Sequence, residues 1–395
     1  MELDPDRLGN VTATTHRYVD EGRFPCTVTA VLHRGEEVYR DAYGWADVAT
    51  QRPIAEDTIF RIFSMTKPIA SIALLQLYER GLVLLEDPVG RYLPELAELT
   101  VWAGEGVDPV PAERPVTVKH LLTHTAGFTA GFQFNQPVGT LYREAGLGDL
   151  RPPKFDLPGA VEVLGTLPLV DQPGEGFHYG MSTDVVGRLV EVLSGMSLDA
   201  YLDEHVFQPL GMVDTGFFVP EEQLPRLASN YLRTPTDPLF PLDPPDRAAL
   251  TKPPRFLSGA GGLVSTLDDF LRFCRSLLGG GELDGARILG TKTLQFMASN
   301  HLPGGVSLND LGQDTFSEVV MEGMGFGLGV SVVLDPAIAG ANGNVGEYGW
   351  GGAASTVFWI DPVEDLAVVF LTQLVPSDSY PIRRHLRATV YGALV

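Results

Sequence analysis

Two cysteines in 395 residues are too few to build a disulfide framework, and Cys26 and Cys274 lie in apolar or helical surroundings that suit reduced packing residues. Their spacing fits no zinc site. Basic side chains are also scarce: 28 lysines and arginines face 50 acidic residues, a net charge of −22. With no basic patch, the chain would be repelled by a phosphate backbone, which excludes nucleic acid as a partner and leaves solubility as the reading of the charge. No apolar run is long enough to span a bilayer, and the start, Met1-Glu2-Leu3-Asp4-Pro5-Asp6-Arg7, is acidic with no apolar core. It is not a secretory signal, so the expected location is cytoplasmic, without a membrane partner. A Gly-x-Ser-x-Gly elbow and a His-Glu-x-x-His pair are both missing. Gly279-Gly280-Gly281 lacks the lysine and hydroxyl of a phosphate cradle. His120 and His124 are four apart, but no third ligand is evident, and no metal is expected.

The chain does contain an ordinary globular balance, 44% hydrophobic and 20% charged, over a length that exceeds the usual single core. Within it the stretch Phe60-Arg61-Ile62-Phe63-Ser64-Met65-Thr66-Lys67-Pro68-Ile69 is followed by a mostly apolar run ending in Gly81. That pattern predicts a buried helix with a glycine stop. Pro68 is tolerated only in the first turn, so the helix begins near Ser64. Residues three apart share a helix face, which puts the Lys67 amine within reach of the Ser64 hydroxyl. A helix start supplies unpaired N–H groups and a positive dipole end for a developing oxyanion. Desolvation favours a neutral lysine able to accept a proton. Ser-x-x-Lys is therefore a self-contained activated nucleophile, or else a capping serine with a solvated lysine nearby.

Strands are expected at residues 27–32 and 37–43, around a turn at Arg34-Gly35, at 326–334, and in a hairpin of 354–360 with 366–371. Helices are expected at 7–21, 118–124, from Ser182 to Gly195, 198–207, 266–278 and 383–391. Residues 126–159 are rich in glycine, proline and phenylalanine with little periodicity. Phe128, Phe132 and Phe134 there are either an apolar lid lining or anchors to the core. Residues 234–254 form a proline-rich excursion. Strands at both ends with helices between predict an α+β fold, an antiparallel sheet flanked by helices. Residues 1–80 and 255–395 would form the sheet lobe, residues 81–254 an inserted helical lobe, and the site would lie between them.

A Ser–Lys pair commonly works with a second acid/base and two oxyanion donors. Tyr179 follows the turn Pro173-Gly174-Glu175-Gly176; a phenolate beside an ammonium can take the serine proton, although a core tyrosine has the same pattern. Tyr348-Gly349-Trp350-Gly351-Gly352-Ala353 precedes the hairpin. Its glycines either admit an acyl group closely or mark a β-bulge, and on the first reading the Ala353 and Ser64 N–H groups form the oxyanion hole. His178 is expected to shape the site as a neighbour.

Ser64-Met65-Thr66-Lys67, Tyr179 and Trp350-Gly351-Gly352, in that order, resemble the serine β-lactamase and DD-peptidase fold family. Leu121-Leu122-Thr123-His124-Thr125-Ala126-Gly127, Pro209-Leu210-Gly211-Met212 and Gly261-Gly262-Leu263-Val264-Ser265-Thr266 are similar to its class C β-lactamase-like branch, and the whole resembles family VIII carboxylesterases. The resemblance implies Ser64 as acylated nucleophile, Lys67 as its base partner and Tyr179 as second acid/base. Trp350 stands where the lactamases carry a lysine, and Met181 where they carry an asparagine. An anionic amide substrate would leave polar groups unpaired there, at about 1–3 kcal/mol each. The expectation is a serine carboxylesterase for short to medium acyl chains, acting on a small-molecule ester without cofactor. Trp350, Gly351, Gly352, Met181, Phe128 and Phe134 would contact the substrate. A β-lactamase, an amidase, an acyltransferase and a catalytically silent binding protein are the alternatives, and nothing in the sequence sets an oligomeric state.

Overall fold

The computed structural model describes residues 1–148, 153–243, 251–311 and 322–395. An eight-stranded sheet is assembled from both ends of the chain. Its strands are β1 (Cys26–His33), β2 (Glu36–Asp47), β3 (Arg52–Pro53), β4 (Met324–Phe326), β5 (Ser331–Val333), β6 (Tyr348–Gly351), β7 (Val357–Asp361) and β8 (Leu366–Leu371). They run in the order β4-β5-β6-β7-β8-β1-β2-β3, each antiparallel to its neighbours. Every residue of β1, β7 and β8 is buried. Side chains alternate between faces along a strand, so a sheet covered on both sides favours apolar residues on both faces, here interrupted by the buried Thr27, Thr29, His33 and Asp361.

Those faces have different partners. Val31, Val368 and Phe370 pack with Leu8 and Val11 of helix α1 (Pro5–Asp20), the N-terminal helix. Ala30, Leu32, Val369 and Leu371 pack on the other side, in the cluster that includes helix α2 (Thr66–Glu79). Helix α3 spans Ser182–Ser194 and stops at Gly195, whose φ of 74° is open to glycine. Helix α4 spans Leu267–Leu278, capped by Thr266 accepting from the Asp269 N–H; it contributes Phe270, Phe273 and Cys274 to that second cluster. Helix α5 spans Ile382–Tyr391 and sends Ile382, Leu386 and Val390 into the α1 side.

Three expectations need correction. Residues 326–334 are not one strand: β4 and β5 pair with each other, Met324 opposite Val333, and the chain reverses between them. Gly329 makes the turn at φ 91°, and a Cβ there would fall 2.1 Å from the Ser71 Oγ of α2. The apolar pattern was continuous while the break is tertiary. Next, the segment before the hairpin is not only a glycine-rich lead-in: Tyr348–Gly351 is a strand of its own, β6, between β5 and β7. Lastly, residues 126–159 hold helices at Pro137–Glu144 and, at their end, Leu157–Leu164, each with a proline in its first turn. The 149–152 part of that lid expectation, and the 244–250 part of the proline-rich excursion, lie outside the described residues; Phe240–Asp243 of the latter is a strand.

Both cysteines are free and buried, as expected. No helix among the described residues is long and apolar enough to cross a membrane.

Candidate active site

Ser64 is held by a short two-stranded ladder. Phe60–Arg61 pairs with Val264–Ser265, the Ile62 N–H donates to the Leu263 carbonyl at 3.1 Å, and a 3-10 turn over Phe63–Met65 leads into α2. Phe63 has φ 44°. A bulky residue in that region costs on the order of 1–3 kcal/mol, and strain of this kind gathers at functional sites. Pro68 occupies the third position of α2, where its missing N–H leaves no helical bond unmade.

Lys67 is 3% exposed. Its Nζ donates to Ser64 Oγ at 3.3 Å and to the Ala260 carbonyl at 2.7 Å, and it lies 4.4 Å from the centroid of the Tyr179 ring. The Ala260 carbonyl is itself placed by a buried carboxylate. Asp184, in the first turn of α3, accepts from Ser258 Oγ at 2.6 Å and from the Ala260 N–H at 3.2 Å. Burial pushes the Asp184 carboxyl up, while Ser258 and the Lys67 charge pull it back. The sequence suggested Asp184 only as part of a helix start, and no local signal marks it as the brace behind a lysine.

Tyr179 is fixed at its backbone by Gln133 Nε2, which donates to the Tyr179 carbonyl at 3.0 Å. The adjoining Gly180 packs on Thr129, where a Cβ would sit 2.3 Å from backbone atoms. Trp350 Nε1 donates to Tyr179 Oη at 3.3 Å. The His124 ring lies 5.0 Å from the Tyr179 ring, and burial together with the Lys67 charge holds that imidazole neutral, well below its ordinary pKa. The structure thus brings Ser64, Lys67, Tyr179 and Trp350 together. The end of β6 meets the chain just before Ser64: a Cβ on Gly352 would lie 2.4 Å from the Ile62 carbonyl. Among the described residues the Ala353 N–H donates to no backbone acceptor. Ser64 keeps 9% of its surface, more than Tyr179 at 5% or Trp350 at 3%.

The other predicted contacts differ in burial. Phe128 has no exposed surface and belongs to the core, and Met181 is 5% exposed in the same cluster. Phe134 is 65% exposed and stacks with the Arg143 guanidinium at 5.1 Å. The space above Gly351 is filled by Arg383 and that above Gly352 by Thr356 and Ile62, so these glycines admit the protein's own groups. His178 spends Nε2 on Asp171 at 2.7 Å, which holds the Asp171 carboxyl low. His120 caps a helix through Thr117, while His124 turns to Tyr179, so the two face no common ion. A cavity of about 90 Å³ touches Trp350 but is lined by Glu347, Gly349, Gly351 and Arg387, not by Ser64.

Residues 11–391 match the family described as Beta-lactamase. The chain belongs to the beta-lactamase family. Among beta-lactamase family relatives, Protein Rv1367c of Mycobacterium tuberculosis is 35% identical over 386 residues, 95% of this chain and 91% of that protein. Esterase EstB of Burkholderia gladioli is 34% identical over 391 residues, 94% of this chain and 92% of that one. The solved structure of EstCE1, described as a hydrolase with promiscuous acyltransferase activity, superposes with a TM-score of 0.83 at 26% identity, covering 98% of this chain and 99% of its own.

Burial of neutral imidazoles sets a pH dependence for this beta-lactamase-family fold. Burial lowers His120 to about 4 and holds His124 well below its ordinary value, against an unfolded value near 6.5. Between those values the unfolded chain binds the extra protons, so the stability is complete above about pH 6.5 and is lost as pH falls towards about 4. Melting temperature is expected to drop steadily from pH about 7 to about 4.5, and His120→Gln is expected to shallow that slope. A flat profile across the window contradicts the burial assignment.

Proposed function

We propose that this chain is a serine esterase that cleaves carboxylic esters of short to medium acyl length through an acyl-enzyme. The observation that carries the reading is Lys67 Nζ at 3.3 Å from Ser64 Oγ and against the Tyr179 ring, with the Tyr179 oxygen in turn receiving the Trp350 N–H. Ser64 Oγ attacks the ester carbonyl while its proton passes to the Lys67–Tyr179 pair. The tetrahedral oxyanion is received by the Ser64 and Ala353 N–H groups. The C–O bond to the alcohol breaks, the alcohol leaves with the proton returned from the pair, and water then attacks the acyl carbonyl with the same groups as base. Side chains and backbone amides carry every step.

Ester over β-lactam is favoured by two residues. Trp350 offers no cation to a substrate carboxylate, and its N–H is already engaged by Tyr179. Met181 has no amide with which to grip a side chain, and it is nearly buried. Unpaired polar groups of an anionic lactam would cost about 1–3 kcal/mol each on entry. The likeness to Esterase EstB supports the same choice. Turnover of p-nitrophenyl butyrate is expected to exceed that of nitrocefin by about 10²-fold or more in kcat/KM. Equal or faster nitrocefin cleavage would overturn the ester assignment. The likeness to EstCE1 favours a second outcome for the same intermediate, capture by an alcohol in place of water, read as a new ester when an alcohol acceptor is added.

A further inference from the structure

Behind the end of β6, helix α5 presents Arg383. Its Nη2 donates to the Gly352 carbonyl at 3.1 Å and to the Thr356 carbonyl at 2.8 Å. The first of these oxygens belongs to the same peptide unit as the Ala353 N–H. That unit is planar and trans, so holding its C=O in place also fixes the direction in which its N–H points. A donor on the carbonyl further polarises the amide and strengthens its N–H as a donor. The Ser355 N–H donates to the same Gly352 oxygen at 3.0 Å, and Ser355 adopts φ 67° to close this turn. The carbonyl is thus gripped by two donors, one of them charged. Gly351 makes the approach possible, since a Cβ there would lie 2.5 Å from Arg383 Nη2. This accounts for a glycine that the sequence assigned to substrate contact.

We infer that Arg383 is a positioning residue of the oxyanion hole, acting on the transition state through the peptide that joins Gly352 to Ala353 and without touching substrate. The inference rests on the reading of Ser64 as nucleophile and Ala353 as oxyanion donor. A charge that stabilises only the oxyanion acts on kcat and leaves substrate binding alone. Losing an oxyanion donor outright lowers kcat about 10²–10³-fold, and misaligning one costs less.

Arg383→Gln and Arg383→Lys are expected to lower kcat for p-nitrophenyl butyrate about 10–100-fold with KM unchanged within about twofold. The pH profile of kcat is expected to keep its shape, because Lys67 and Tyr179 are untouched. Arg383 also borders the cavity of about 90 Å³ beside Gly351, so guanidinium ion at low millimolar concentration is expected to recover part of the rate in Arg383→Ala. Arg384→Gln removes the same charge from an exposed neighbour on α5 and is expected to leave kcat as it is. A folded Arg383→Gln protein with wild-type kcat, or with its whole loss in KM, overturns the inference. Hydrogen exchange over residues 350–357 provides a readout independent of turnover: the Gly352 and Ser355 amides, bonded to Thr356 and Gly352 respectively, are expected to exchange faster in Arg383→Gln. If the wild type cleaves no ester, the esterase reading fails, and this exchange alone decides for or against Arg383 as the brace of the turn.

Discussion

Ser64→Ala is expected to reduce p-nitrophenyl butyrate turnover at least about 10⁴-fold while leaving the protein folded. The size of the loss follows from the chemistry. Without an Oγ there is no acyl-enzyme, and what remains is the slow attack of water at a site that still offers oxyanion donors. The modest structural effect follows from the contacts. Lys67 loses one partner at 3.3 Å but keeps the Ala260 carbonyl at 2.7 Å, so its charge stays bonded. A hydrogen bond from a charged donor of this kind contributes about 1.5–3 kcal/mol. Relief or retention of the Phe63 strain is not at issue, because the backbone of the Phe63–Met65 turn is unchanged. Residual activity near wild type in a folded Ser64→Ala protein would remove Ser64 from the chemistry.

Lys67→Met is expected to carry the second-largest effect, about 10²–10⁴-fold in kcat, the usual contribution of a positioned acid/base. The thioether fills the same apolar volume but neither accepts the serine proton nor donates to Ala260. The partly buried Ala260 carbonyl, left without Lys67, is expected to cost about 1 kcal/mol of stability as well. Tyr179→Phe cuts the same proton path from the other side and leaves the Trp350 N–H without its phenol partner. If Lys67 and Tyr179 act as one unit, the double variant is expected to be little worse than the poorer single one. Multiplying losses would mean that they serve separate steps.

The parts of this site that were legible in the sequence are those whose contacts are local. Ser64 and Lys67 are three residues apart on one helix, so the helix period alone places them together. Tyr179 and Trp350 have no such link: they are 171 residues apart and became legible only through the order of motifs. Asp184 reaches Ser258 across 74 residues, and Arg383 reaches Gly352 across 31 with strands β7 and β8 between, so neither left a mark in any sequence window. The same distinction governs the fold. β8 was legible because burial on both faces leaves an uninterrupted apolar run, and β1 and β7 because β-branched and aromatic residues dominate them. The break between β4 and β5 was not, because it lies at Gly329, whose φ of 91° and close approach to Ser71 are set by tertiary packing. Phe128 and Phe134 look alike as sequence and end at opposite extremes of burial, because composition records what a side chain prefers and not what surrounds it.

The proposed chemistry turns on acylation of the Ser64 hydroxyl, beside the Lys67 amine and the Tyr179 phenol, during turnover. Rapid acid quenching of the protein with p-nitrophenyl butyrate, followed by mass spectrometry of the peptide containing Ser64, tests it directly. One added butyryl group is expected on Ser64, absent from Ser64→Ala and accumulating in Tyr179→Phe, where deacylation is slowed. Steady ester turnover with Ser64 unmodified in both proteins, or a butyryl group carried on a different residue, would contradict it.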